Sequence, residues 1–248
     1  MVAVLIWLRN ISYIVIHFLK QLPQCRPRDA RKRENRFWPV AQANFTIMPT
    51  NSMQRLCVFC GSSPGLRPEY LDMARQLGRA LAARRIGLVY GGGKVGMMGE
   101  VAKTVAQQGG EVIGVIPDAL FKREVAFNEL ADLRVVSSMH ERKALMADLS
   151  DGFIALPGGL GTVEEFFEVL TWAQLGIHHK PCGLLNVCGY YDDLLRFVRH
   201  AAEQKFIGAK DASFILIDDT PDGLLERFAT YQPPKTDKAA WALQLSQT

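Results

Sequence analysis

Residues 152–175 read GFIALPGGLGTVEEFFEVLTWAQL. The run GFIAL is apolar without interruption, the pattern of a strand covered on both faces. Pro157-Gly158-Gly159-Leu160-Gly161-Thr162 breaks it, and the apolar positions that follow return at helical spacing. A buried strand, a glycine turn and a helix in succession make up the repeating unit of a parallel α/β sheet.

The same unit recurs on either side. Upstream, residues 55–60 (RLCVFC) read as a strand ending in Gly61-Ser62-Ser63. Residues 69–84 are helical in period, with Leu71, Ala74, Leu77 and Leu81 on one face. A strand at 86–90 ends in Gly91-Gly92-Gly93, and a helix at 97–108 follows. Strands are expected at 111–116, stopped by Pro117, and at 133–137, with a helix at 139–150. Downstream come strand 182–187, helix 190–204, strand 214–217 and helix 221–230. This alternation predicts a single Rossmann-like, doubly wound α/β domain, a parallel sheet with helices on both faces. The domain is placed at residues 53–232, with 1–52 an N-terminal extension and 233–248 a breaker-rich tail.

Composition narrows the function classes. Apolar residues at 48% and charged residues at 22% exclude a collagen-like, disordered or disulfide-scaffold chain. Five irregularly spaced cysteines point to a reducing, cytoplasmic setting. The net charge of +4 is unevenly spread. Residues 1–52 hold 8 basic and 2 acidic side chains, the remainder 21 and 23, so the main body has no basic footprint for nucleic acid. Residues 2–19 are apolar, but Arg9 in their midst is costly in a membrane. The basic block follows that run where a secretory signal has it before, and no small-residue cleavage site appears. Residues 1–52 therefore read as an extension not used by the mature protein, with Met48 or Met53 as the start. An anchor over residues 1–20, the only expected membrane contact, and some other address are the alternatives.

Three strands ending in small-residue turns point to a phosphorylated ligand. Glycines admit a phosphate to the backbone, and the next helix start offers free N–H groups. Ser62, Gly92 and Gly93 are candidate contacts on this reading; the plainer reading is that each glycine only makes a tight turn. Gly91-x-Gly93-x-x-Gly96 formally matches the dinucleotide fingerprint, but Glu111, the acid that follows, opens a strand where the fingerprint wants it at a ribose. No GxxxxGK[ST] occurs. Thr162 and Glu165 have capping-box spacing, which would explain the threonine and one glutamate but not the preceding Pro-Gly-Gly-x-Gly. An acid beside a phosphate turn suits a site that holds phosphate on backbone N–H groups while the acid works on the sugar carbon. The remaining clusters read as structural. Cys57 and Cys60 face opposite sides of a strand, His178-His179 lies in a loop, and His140 has a structural role or lines the site. Nothing marks Lys94, Lys143 or Lys180 as a pyridoxal-phosphate lysine, and no metal site or cofactor is expected.

PGGLGTVEE, with SMHERK at 138–143 and GGGKVGMMG at 91–99, resembles the LONELY GUY (LOG) family. The resemblance runs from Gln54 to Gln232 and includes LTWAQLGIHHKPCGLLNVCGYYDDLL at 170–195. It implies hydrolysis of the N-glycosidic bond of N6-modified adenosine 5′-monophosphates, the cytokinin ribotides, to free base and ribose 5-phosphate. It also implies a homodimer or larger assembly and no metal or organic cofactor. Carried over by motif, Arg142 and Glu165 match the catalytic pair. Lys143, Gly158, Gly159, Leu160, Gly161, Thr162, Val163, Glu164, Thr171 and Glu124 match substrate-contacting positions. Glu165 is expected to stabilise the charge that builds on the sugar and to orient or deprotonate a water. Arg142, a fixed cation, is expected to clamp the phosphate or ribose hydroxyls, or to hold Glu165 ionised. Without the motif, Arg142 and Lys143 would read as a solvated helix face with Glu141. An AMP nucleosidase of purine salvage and a non-catalytic nucleotide-binding protein are the alternatives. The apolar helix around Phe166, Phe167 and Trp172 is expected to contribute to a homodimer interface.

Overall fold

The computed structural model describes residues 53–122, 126–208 and 211–234. The readings of residues 1–52, of Glu124 and of the tail from 235 onward lie outside them. In chain order the elements are β1 (Arg55–Phe59), α1 (Pro68–Ala83), β2 (Gly87–Tyr90), α2 (Gly96–Gln107), β3 (Val112–Pro117), the single-turn α3 (Asp118–Phe121) and β4 (Asp132–Val136). Then follow α4 (Met139–Asp148), β5 (Gly152–Ala155), α5 (Leu160–Gln174), β6 (Cys182–Leu185), α6 (Asp192–Glu203), β7 (Ile215–Asp218) and α7 (Pro221–Ala229). Short 3₁₀ turns occupy Val187–Gly189 and Asp211–Phe214.

The seven strands form one sheet, order β4-β3-β2-β1-β5-β6-β7, with every pair parallel. The doubly wound expectation holds. Strand order reverses between β1 and β5, whose register pairs Phe59 with Ala155, so their carboxyl ends finish side by side. Such a switch point opens a crevice where ligands bind in this class of fold.

Side-chain alternation builds two cores. Leu56, Val58, Leu88 and Tyr90 face a layer containing Leu77 and Leu81 of α1, Val101 and Val105 of α2, and Leu224 and Phe228 of α7. Cys57, Phe59, Val89, Phe153 and Ala155 face Met146 of α4, Phe166, Val169 and Leu170 of α5, and Val198 of α6. Both faces are therefore covered, which is why the central strands are unbroken apolar runs. Cys57 and Cys60 fall in opposite cores, on opposite faces of the sheet. Phe166 is 1% exposed and belongs to the second core, with Phe167 and Trp172 packed partly against it. Phe166 thus closes this domain's own interior, while Phe167 and Trp172 keep part of their surface open. No helix among the described residues is long and apolar enough to cross a membrane.

Candidate active site

The Pro157–Thr162 turn leaves β5 at the switch point. Gly61, just past β1, donates its N–H to the Pro157 carbonyl at 3.1 Å, joining the two strand ends. A Cβ on Gly158 would collide with the Thr162 hydroxyl and press on the Gly61 nitrogen, so only glycine fits there. Helix α5 starts at Leu160 with Gly159 as its cap, and no side chain caps it. Gly159, Leu160 and Gly161 are exposed and Thr162 is buried. The first N–H groups of this long helix therefore open to the crevice without a side-chain acceptor, as an anion site requires.

The capping-box reading of Thr162 and Glu165 fails on this geometry. The helix begins two residues before Thr162, which makes Glu165 a second-turn residue. A box-like start does form on α4, where Ser138 accepts from the Glu141 N–H at 3.1 Å and the Glu141 carboxylate takes the Ser137 N–H at 2.8 Å.

Glu165 instead faces Arg142 of α4. Arg142 Nη1 lies 3.2 Å from Glu165 Oε1, and the two side chains are 10% and 11% exposed. Arg142 Nε donates to the Val115 carbonyl of β3 at 3.1 Å. A Cβ on Gly91, just past β2, would strike Arg142 Nη2, so this glycine clears a path for the guanidinium. Arg142 is thus no solvated residue. Burial raises the Glu165 carboxyl above the ordinary glutamate range, and Arg142 pulls it back down. Glu164 adds to the upward push, Lys143 opposes it, and Glu168 again raises it. A desolvated carboxylate held by a fixed cation is the kind of group found where charge develops during a reaction.

Lys143 projects beside the pair into two other carboxylates, Glu164 Oε1 at 2.7 Å and Glu168 Oε2 at 3.0 Å. Its own side chain is 12% exposed. Burial lowers the affinity of this amine for its proton, but Glu164 and Glu168 more than offset that and hold it as ammonium. Such a lysine is poorly suited to Schiff-base chemistry. Lys180 is committed to the Ala147 carbonyl at 2.8 Å, and Lys94 is exposed. No cluster of His, Cys, Asp and Glu that could hold a metal occurs among the described residues.

The other predicted contacts are placed unequally. Gly92 has φ +74°, packs on Ile116 and Leu133, and gives its carbonyl to the Phe127 N–H at 2.9 Å. Gly93 bridges Ala126. Both are buried in loop structure. Ser62 is exposed and its backbone lies against Gly96. Val163 gives its N–H to the Gly159 carbonyl at 3.2 Å. Thr171 lies about 13 Å along the helix from Thr162. Its hydroxyl donates to the Phe167 carbonyl at 2.7 Å, so within this chain it is not brought to the turn. Glu111 pairs with Arg55 at 2.8 Å at the amino end of the sheet, away from any ribose at the switch point. His178 is a core-edge residue, its Nε2–H donating to the Val169 carbonyl at 2.9 Å. Sequence reasoning missed Gly91, the Val115 carbonyl and Glu168. Gly91 left a signal in its place at the head of the glycine turn, and Glu168 in its one-turn spacing from Glu164; the Val115 carbonyl left none.

Comparison with known proteins identifies the family. A family model described as "Possible lysine decarboxylase" matches residues 98–228. The rice (Oryza sativa subsp. japonica) protein named "Probable cytokinin riboside 5′-monophosphate phosphoribohydrolase LOGL6" is 51% identical over 191 residues, covering 77% of this chain and 76% of its own. Arabidopsis thaliana "Cytokinin riboside 5′-monophosphate phosphoribohydrolase LOG4" is 49% identical over 192 residues, covering 77% and 89%. Among solved structures, the molybdenum cofactor binding protein of Rippkaea orientalis aligns with a TM-score of 0.55 at 24% identity, covering 71% of this chain and 96% of its own. The molybdenum cofactor carrier protein of Chlamydomonas reinhardtii gives 0.53 at 22%, covering 70% and 94%. These two share the fold. With half its residues identical to the plant enzymes over most of its length, this chain belongs to the LONELY GUY (LOG) family.

Proposed function

We propose that this chain hydrolyses the N-glycosidic bond of cytokinin riboside 5′-monophosphates, N6-modified AMP derivatives, to free base and ribose 5-phosphate. The observation that carries the reading is the buried Arg142–Glu165 pair beside the uncapped start of α5. The helix start takes the 5′-phosphate on its free N–H groups. The ribose then lies toward the second turn, with C1′ near Glu165. As the C1′–N9 bond breaks, its electron pair leaves with the base, which takes a proton from solvent; the positive charge left on the sugar, as in glycoside hydrolysis, is stabilised by the buried carboxylate. The same carboxylate orients a water and takes its proton as the water adds to C1′. Arg142 keeps Glu165 ionised and fixes its rotamer.

Product analysis tests the reading. The full chain is incubated separately with isopentenyladenosine monophosphate, AMP and the matching nucleosides, and released base is measured by chromatography. Base from the modified monophosphate but not from its nucleoside is expected. Comparable release from AMP would move the assignment to purine salvage, and no release with binding intact would favour a binding protein. Glu165→Gln is expected to lose turnover and keep nucleotide binding; retained turnover would refute its role.

A homodimer fits the apolar side chains left outside: Leu160 is 90% exposed, Leu175 50% and Ile177 60%. Sedimentation as a monomer at micromolar concentration would count against it. Cys57, Cys60 and Cys182, all unpaired and buried, support a reducing, cytoplasmic setting.

A further inference from the structure

The turn before α5 has an unusual distribution of hydrogen bonds. Its three successive carbonyls are all engaged by the protein itself. The Leu156 carbonyl accepts from the Tyr191 hydroxyl at 2.6 Å. The Pro157 carbonyl accepts from the Gly61 N–H at 3.1 Å. The Gly158 carbonyl accepts from the Tyr190 hydroxyl at 2.6 Å. The next carbonyl, Gly159, takes the Val163 N–H inside the helix at 3.2 Å. With every acceptor occupied, the turn presents donors to the crevice, which is the requirement for an anion cradle.

The two tyrosines differ in what else they do. Tyr191 is 2% exposed and fills the core. Tyr190 is 42% exposed, and its ring stands edge-on to Tyr70 of α1 at 5.6 Å and to Tyr191 at 5.0 Å. These aromatic neighbours hold the ring in place, so its hydroxyl meets the carbonyl from a fixed direction. In a trans peptide the C=O and the following N–H point opposite ways. A carbonyl held at Tyr190 therefore turns the Gly159 N–H away from Tyr190. Gly158 and Gly159 are the residues most free to rotate, since neither has a side chain to restrain the peptide between them. If that peptide flipped, a carbonyl oxygen would replace an N–H in the cradle and repel the phosphate.

We propose that Tyr190 is a positioning residue for the phosphate: its hydroxyl holds the Gly158 carbonyl so that the Gly159 N–H joins the donors at the start of α5. The proposal rests on the phosphoribohydrolase reading for its ligand, a 5′-phosphorylated ribose.

Tyr190→Phe keeps the ring contacts and removes only the hydroxyl. The experiment compares the full-length wild type and this variant in three measurements: KM and kcat for the modified monophosphate, calorimetric Kd for ribose 5-phosphate and for the free base, and thermal melting. Loss of one hydrogen bond's orienting effect is expected to raise KM and the ribose 5-phosphate Kd by about five- to tenfold. The free-base Kd should stay unchanged, the melting temperature should fall by no more than about 2–4 °C, and kcat should stay within about twofold, since the bond acts on peptide orientation and not on Glu165. An unchanged ribose 5-phosphate Kd would overturn the proposal. So would parallel weakening of ribose 5-phosphate and base, the mark of a general structural role, or a wild type that does not bind ribose 5-phosphate. If the wild type binds ribose 5-phosphate but releases no base, the functional reading fails while the calorimetry still decides this one.

Discussion

Gly91→Ala probes the Arg142–Glu165 pair without substituting either member. Gly91 does not have the positive φ of its neighbour Gly92, so alanine is acceptable to the backbone there. The new methyl meets Met98 Sδ at an ordinary 3.4 Å, and its one serious collision is with Arg142 Nη2. The guanidinium is rigid, so moving Nη2 also moves Nη1, which faces Glu165. Restoring van der Waals contact takes a retreat of roughly an ångström. With an effective dielectric of about 20, unit charges 3.2 Å apart attract by about 5 kcal/mol, and an ångström more reduces this by about 1.2 kcal/mol. That loss is worth about one pKa unit.

The sign follows from which form Arg142 favours. Arg142 stabilises the Glu165 carboxylate against burial, so weakening the attraction raises the carboxyl further. The other charges facing Glu165, Glu164 and Glu168 on its own helix and Lys143 on α4, stay in place, as do the thiols of Cys57 on β1 and Cys60 just past it. The active carboxylate then appears only at higher pH. The acid limb of kcat, measured at saturating isopentenyladenosine monophosphate from pH 4 to 8, should move up by about one unit with the plateau nearly kept. Saturation matters, because kcat/KM would add the ionisation of the substrate phosphate at about pH 6. An acid limb that does not move, with kcat lowered equally at every pH, would refute the idea that Arg142 keeps Glu165 ionised.

Two further outcomes are expected. A double-mutant cycle on Lys143→Met and Glu168→Gln should show a coupling of about 1–2 kcal/mol in denaturant unfolding, since the single lysine change strands a half-buried carboxylate. Coupling near zero together with a raised KM would mean that Lys143 holds substrate instead. His178 is held down to about 4, chiefly by burial, its Nδ1 accepting the Lys180 N–H at 3.2 Å. A histidine depressed in the folded state binds its proton more readily when unfolded, so its contribution is complete above about pH 6.5 and is lost as pH falls toward 4. After discounting for partial exposure this is about 2 kcal/mol. His178→Gln should flatten that part of the melting-temperature profile; an unchanged slope would count against it.

The fold was legible because its central strands are buried on both faces. GFIAL and LCVF carry that pattern as unbroken runs, and the helices between them show a clear period. The single turn Asp118–Phe121 was not legible, since four residues are too few to display a period. Strand order was not legible either, because periodicity is a local property and the order depends on where each crossover lands. The site was legible through its turn and its motif, which named Arg142 and Glu165, but the burial of that pair was not legible from the residues around it. Arg142 sits between Glu141 and Lys143, which makes the segment look solvated, and nothing local reports that the middle residue is buried. The Thr162–Glu165 spacing misleads for the opposite reason. The true cap is Gly159, which has no side chain to announce itself.

The topology explains why an arginine from α4 reaches a glutamate on α5. β4 is the edge strand and β5 lies in the middle, so the connection carrying α4 must cross back over β3, β2 and β1. Arg142 lies on that crossing. Its Nε is held by the carbonyl of Val115 near the end of β3, its Nη2 passes Gly91 at the end of β2, and its Nη1 reaches Glu165 on the helix that follows β5. The guanidinium thus spans the carboxyl ends of the sheet up to the switch point, touching something fixed at each step. A lysine has neither the planar fork nor the extra donors to be held at both ends. Arg142→Lys would keep the charge but lose the simultaneous hold on Val115 and Glu165. The requirement at this position is therefore geometric as well as electrostatic, and it ties the orientation of Glu165 to the spacing of the strands themselves.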